Sequence, residues 1–142
     1  MRRMMISCLL AAGATAAVAG ASVPAAATPQ MSRSSLVLTV HRGTTDTGQV
    51  LAEETLKCEP TGGSHPLAAH ACATLLWSGG SLSALPRAGV LCTMIYQPVT
   101  VEVGGSWRDR VVGFQHTYPN LCTAFDQSYG VFWFPIGFTV QG

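Results

Sequence analysis

Five cysteines occur in the chain, at positions 8, 58, 72, 92 and 122. The first lies inside an N-terminal stretch with the layout of an export leader. Arg2 and Arg3 precede an alanine-rich apolar run from Met4 to about Val23, and no acidic residue appears before Asp46. This is the pattern of a secretory signal peptide, and the small-residue sites at Ala19-Gly20-Ala21 and Ala25-Ala26-Ala27 predict cleavage after Ala21 or Ala27. Residues 1–27 are therefore read as a signal peptide that takes Cys8 with it. The run is too weakly hydrophobic, with its alanines and glycines, to favour a retained membrane anchor. Cys58, Cys72, Cys92 and Cys122 remain, an even set bound for an oxidising compartment, which predicts two disulfides. Parity leaves three pairings open. Joining sequence neighbours would give Cys58 with Cys72 and Cys92 with Cys122. Zinc is the competing use of four cysteines, but no C-x-x-C pair occurs, so no metal site is expected.

Removing 27 residues from 142 leaves 115, the size of one domain. Without Arg2 and Arg3, six of the eight basic residues face seven acidic ones, so the exported part is close to neutral. That balance gives no reason to expect a nucleic-acid partner, or a membrane partner once the leader is gone. Residues 28–34 read as a flexible polar arm, and the fold is expected to begin at Ser35.

From Leu36 to Val40 the β-branched pattern predicts a strand, and the 43–48 turn cluster leads into a second strand over Gln49 to Cys58. Glu53-Glu54 breaks the alternation there and marks an edge or irregular strand. Ser64 is expected to cap a helix with Pro66 in its first turn, running to Trp77 and stopped by Gly79-Gly80. Ala68, Cys72 and Leu75 would share its buried face. Residues 89–98 carry no helical pattern and are expected to be extended. A hairpin follows, with a strand over Val99 to Val103, a tight turn at Gly104-Gly105, and a return strand from Trp107 to Tyr118. Pro119-Asn120 ends that strand before a short segment bearing Cys122, and Gly130 to Phe134 reads as a closing buried strand.

No G-x-S-x-G, H-E-x-x-H, phosphate-binding or dinucleotide-binding motif occurs. His41, His65, His70 and His116 are isolated, and neither Asp109 nor Asp126 sits in a spacing that supports a triad. No catalytic residues and no cofactor are therefore assigned.

The stretch Val90-Leu91-Cys92-Thr93-Met94-Ile95-Tyr96-Gln97-Pro98-Val99 closely resembles the reactive loop of the Streptomyces subtilisin inhibitor family. The resemblance continues through Ser35 to Val40, Thr55 to Pro60, Gly63-Ser64-His65-Pro66, Ala71-Cys72-Ala73, Gly79-Gly80, Gly105-Ser106-Trp107, Asn120-Leu121-Cys122 and Val131 to Phe134, in the family's order. It thus covers most of residues 35–134, leaving 135–142 as a C-terminal extension. The resemblance implies an α+β domain with a five-stranded antiparallel sheet, two short helices and disulfides Cys58–Cys72 and Cys92–Cys122. It also implies a homodimer formed through sheets and a secreted inhibitor of subtilisin-like, and by extension chymotrypsin-like, serine proteases. The reactive bond would be Met94–Ile95, flanked in a protease-binding loop by Val90, Leu91, Cys92, Thr93, Tyr96, Gln97 and Pro98. Two features depart from the family pattern. Thr93 stands where the best-known pattern has proline, and the β-branch still favours an extended backbone there. The extension lies beyond the family's usual end. The alternative reading is a secreted cell-envelope binding module of the same fold without inhibitory activity.

Overall fold

The computed structural model describes residues 20–26 and 31–136. Most of the leader, the Ala27 cleavage site and the end of the C-terminal extension lie outside the described residues.

Alternation in the first strand decides which way the sheet faces. In β1 (Ser34–Arg42), Leu36, Leu38 and Val40 are buried while Ser35 and Val37 are exposed. That period of two turns one face toward a core and the other toward solvent. β1 pairs antiparallel with β2 (Val50–Cys58) on one side and β4 (Val99–Trp107) on the other; β2 also pairs with the two-residue β3 (Gly62–Gly63), and β4 with β5 (Arg110–Tyr118). The result is a five-stranded sheet in the order β3-β2-β1-β4-β5. β2 is an edge over most of its length, since β3 reaches only Leu56 and Lys57, and its register shifts by one residue beside Val40/His41. Both features suit the broken alternation at Glu53-Glu54.

Helix α1 (Ala68–Trp77) covers the core face with Ala71, Cys72, Thr74 and Leu75, and Cys58–Cys72 bonds it to the end of β2. Its end is as expected: the Gly80 N–H donates to the Leu75 carbonyl at 2.7 Å and the Gly79 N–H to Leu76 at 3.2 Å, a Schellman closure that needs the positive φ of Gly79. Its beginning is not. Ser64 does not cap the helix; its hydroxyl accepts from the Thr55 N–H at 2.9 Å and donates to Glu54, binding the β3 loop to β2. His65 takes the place near the helix start, where its Nδ1 accepts the Leu67 N–H at 3.0 Å.

Two further expectations are corrected. Gly104 and Gly105 lie inside β4 rather than in a turn, and the chain reverses at Arg108-Asp109, where Arg108 takes φ 52°. The glycine at 105 serves a close approach: at φ 138°, a Cβ there would sit 2.2 Å from the Ser35 carbonyl oxygen of β1. Residues 130–134 form no strand. They cross the open side of the core after helix α2 (Leu121–Gln127), burying Val131, Phe132 and Phe134. Phe132 stacks on Phe114 with centroids 5.6 Å apart. Side chains take the place of a ladder at two of their backbone groups: the Phe132 N–H donates to Ser128 Oγ at 2.9 Å, and the Val131 carbonyl accepts from His65 Nε2 at 2.8 Å. An apolar run reads the same whether it pairs or merely crosses.

Candidate functional site

At the end of the sheet marked by Arg42, Val99 and Tyr118, residues 85–98 run without helix or ladder and form one exposed ridge. Leu91 is 99% exposed and Met94 97%. Large apolar side chains left fully in water are not contributing to a core, and on a ridge they are suited to entering another molecule's pockets. Every residue singled out in the sequence, Val90 to Pro98, lies on this ridge, and the Met94–Ile95 bond is near its middle.

The ridge is held mainly by one short helix. Asn120 is the N-cap of α2: its Oδ1 accepts the Thr123 N–H at 2.8 Å, while its Nδ2 donates to the carbonyls of Thr93 at 3.2 Å and Ile95 at 2.9 Å. The residues on both sides of Met94 are thereby bound to a single amide. Cys122 joins Cys92 by a disulfide with Cα atoms 5.6 Å apart. Asp126 lies one helical turn beyond Cys122 on the same face, and its Oδ1 accepts the Val90 N–H at 2.8 Å. Downstream, the Gln97 N–H donates to the Pro119 carbonyl at 2.9 Å and the Pro98 carbonyl accepts from Gly43 at 2.8 Å. Backbone at 90, 92, 93, 95, 97 and 98 is thus tied down, and the side chains of Leu91, Met94 and Tyr96 project.

Sequence reasoning missed the part played by Asn120, which it read only as a strand breaker. Asparagine directly before a short helical segment is a capping signal, but its grip on a loop 25 residues upstream has no local signature. Asp126, weighed only as a triad member, bonds the loop instead.

Among the described residues no histidine is hydrogen-bonded to a serine hydroxyl. His65 and His70 each donate from Nε2 to a backbone carbonyl, Val131 and Tyr129, and His41 Nδ1 donates to Gly48. Among the described residues no three His, Cys, Asp or Glu side chains converge as metal ligands would, and no helix is long and apolar enough to cross a membrane.

Below the ridge a cleft of ≈ 640 Å³ is lined by Leu51, Tyr96, Pro98, Leu121 and Ile136 among others. Ile136 belongs to the C-terminal extension, so that segment's first residues reach the loop's underside. Residues 137–142 lie outside the described residues.

The sequence pattern of the subtilisin inhibitor-like family matches residues 32–120. The chain belongs to this family. Several family members resemble it across most of their own length. Subtilisin inhibitor-like protein 7 of Streptomyces ambofaciens is 43% identical over 71% of this chain and 95% of its own. Trypsin inhibitor STI2 of Streptomyces longisporus is 42% identical over 79% of each chain. The subtilase-type protease inhibitor of Streptomyces coelicolor is 42% identical over 82% of this chain and 85% of its own. Among solved structures, Streptomyces caespitosus sermetstatin in complex with Bacillus licheniformis subtilisin superposes with a TM-score of 0.58 at 33% identity, over 71% of this chain and 98% of that one. These family members are named as protease inhibitors, not as enzymes.

Proposed function

We propose that the chain is a secreted inhibitor of subtilisin-like serine proteases that presents Met94–Ile95 as a substrate-like reactive bond. The observation that carries this reading is a fully exposed Met94 on a loop whose backbone is bonded to the domain on both sides of it. A protease binds its substrate extended, and a loop already held in one shape loses little conformational entropy on docking. Met94, unbranched and apolar, would fill the enzyme's primary specificity pocket. A broad apolar pocket suits it better than one with a buried carboxylate, so trypsin should be inhibited weakly.

Attack of the protease serine on the Met94 carbonyl would break the bond to the Ile95 nitrogen, leaving Met94 as the acyl group and Ile95 as a new amine. The Thr93 and Ile95 carbonyls share Asn120, and Cys92 stays bonded to Cys122, so the two ends remain close. Religation then competes with hydrolysis, and the inhibitor behaves as a very slow substrate. The subtilisin complex of a structurally similar family member supports the choice of partner. The two disulfides and the N-terminal leader pattern support export.

A homodimer through the sheets belongs to the same reading. On the outer sheet face exposed Gly104 lies between Gly113 and Val37, a stretch with no polar side chain to keep a partner sheet away. Sedimentation of the oxidised protein tests it: a monomer at micromolar concentration would remove the dimer from the reading.

Function is tested by titrating subtilisin with the oxidised, leaderless protein and taking mass spectra of the complex after long incubation. Stoichiometric inhibition with slow cleavage at Met94–Ile95 alone is expected. Absence of inhibition, or rapid cleavage elsewhere, would overturn the proposal.

A further inference from the structure

The upstream shoulder of the ridge is held differently from the rest. Asn120, Cys122 and Pro119 account for the anchors from Cys92 to Gln97, but among the described residues the hydrogen bonds of residues 88–90 go to Asp126. The Asp126 carbonyl accepts the Ala88 N–H at 2.8 Å and its Oδ1 accepts the Val90 N–H at 2.8 Å. Oδ2 faces the Arg87 guanidinium at 3.8 Å. The carboxylate is buried while Arg87 is largely exposed, so the short bond to Val90 dominates and the ion pair is a weak supplement. Leu91, between the Val90 anchor and the Cys92 disulfide, has no backbone hydrogen bond among the described residues and is as exposed as Met94.

We propose that Asp126 is a positioning residue for the reactive ridge: by fixing the Val90 N–H it holds Leu91 and Met94 in the binding conformation together and slows cleavage of the Met94–Ile95 bond. This rests on the inhibitor reading above. Without the carboxylate, Gly89 and Val90 gain freedom, because Gly89 already sits at φ 77° with open space around it. The ridge then spends part of its time in shapes that do not dock, and apparent affinity falls in proportion to the lost fraction of competent loop. The helix carrying Asp126 keeps its own supports, the Asn120 cap and the Ser128 hydroxyl bond to the Ala124 carbonyl at 2.7 Å.

The experiment measures inhibition constants against subtilisin, and the rate of clipping at Met94–Ile95, for wild type, Asp126→Ala and Asp126→Asn, well below each protein's Tm. Asp126→Ala is expected to weaken inhibition about tenfold and to be clipped correspondingly faster. Asp126→Asn, whose Oδ1 still accepts from Val90, should recover most of that loss, which a role confined to stability would not produce. Amide exchange at Val90 in the free wild-type protein gives a reading independent of any variant's folding, and protection there above that of Leu91 is expected. Wild-type constants in Asp126→Ala, equal losses in both variants, or an unprotected Val90 would each overturn the proposal. A wild type that fails to inhibit would instead overturn the inhibitor reading, and Val90 exchange would still report on the clamp.

Discussion

Asn120→Asp separates the loop's support from the domain's stability, because the two jobs of Asn120 fall on different atoms. Its Oδ1 caps α2 by accepting from the Thr123 N–H at 2.8 Å and the Thr123 hydroxyl at 3.0 Å. Aspartate caps as well as asparagine, so that function survives. Its Nδ2 donates to the carbonyls of Thr93 and Ile95, and a carboxylate oxygen in its place has no proton to give. Two hydrogen bonds at roughly 1 kcal/mol each are lost, about 2 kcal/mol, or about a 30-fold rise in the inhibition constant at 1.4 kcal/mol per decade. Repulsion between the new oxygen and two carbonyl oxygens makes this a lower bound. Progress curves of subtilisin over a range of inhibitor concentrations give the constant, and thermal unfolding checks the cap. Clipping at Met94–Ile95 should accelerate as well, since the separated ends would no longer share an amide. An inhibition constant within about threefold of wild type, with Tm unchanged, would falsify the claim that one amide pre-organises the loop.

Met94→Lys should shift preference toward trypsin without loss of stability, because the side chain is 97% exposed and buries nothing; an unchanged ratio of trypsin to subtilisin inhibition constants would sink the assignment of Met94. His65 should make the fold sensitive to mild acid. Its Nε2 donates to Val131 and its Nδ1 accepts from Leu67, so only the neutral ring satisfies both, and burial holds its pKa below the ordinary 6.5 despite the Val131 carbonyl. The unfolded imidazole therefore binds a proton first, and stability present in full above about pH 6.5 declines as pH falls toward the folded-state value. Urea midpoints between pH 8 and pH 5 should slope accordingly in wild type and flatten in His65→Gln; equal slopes would exclude His65 as the cause. Gly105→Ala should cost roughly 2–4 kcal/mol in chemical denaturation, from a positive φ and the clash with the Ser35 carbonyl. Gly113→Ala meets nothing within 4 Å and should cost far less, so comparable losses would refute the close-approach account.

What could be read from sequence depended on whether a residue's job was local. The Leu36 to Val40 alternation, the Gly79-Gly80 stop and the cysteine parity are local or arithmetic signals, and strand, helix end and disulfide count followed from them. Gly104-Gly105 misled because a glycine needed for close backbone approach and one needed for a turn are the same letter, and only the partner strand distinguishes them. Ser64 misled because its hydroxyl had a nearer use, bonding Thr55 and Glu54 across the β2–β3 turn. The run at 130–134 was rightly read as buried and wrongly as paired, since hydrophobicity reports burial and not ladder geometry. The loop itself came from family resemblance. So did one anchor, the Cys92–Cys122 bond; the other two did not, because Asn120 and Asp126 act at sequence separations of 25 and 36 residues.

This separation of anchors from presented side chains has a consequence for how the site can change. Leu91, Met94 and Tyr96 bury little against the domain, so substitutions there should leave the fold nearly untouched while altering which protease pocket is filled. Asn120, Cys122 and Asp126 are the reverse. They lie on or beside seven residues of α2, they never reach the ridge's outer surface, and each holds backbone that any sequence at 91, 94 or 96 would possess. Double-mutant cycles should therefore show near-additivity between Met94→Lys and Asn120→Asp when binding to a fixed protease is measured, since one changes the pocket contact and the other the loop's population. A large coupling energy would mean that the Met94 side chain itself helps to hold the loop, which its exposure in the free domain argues against.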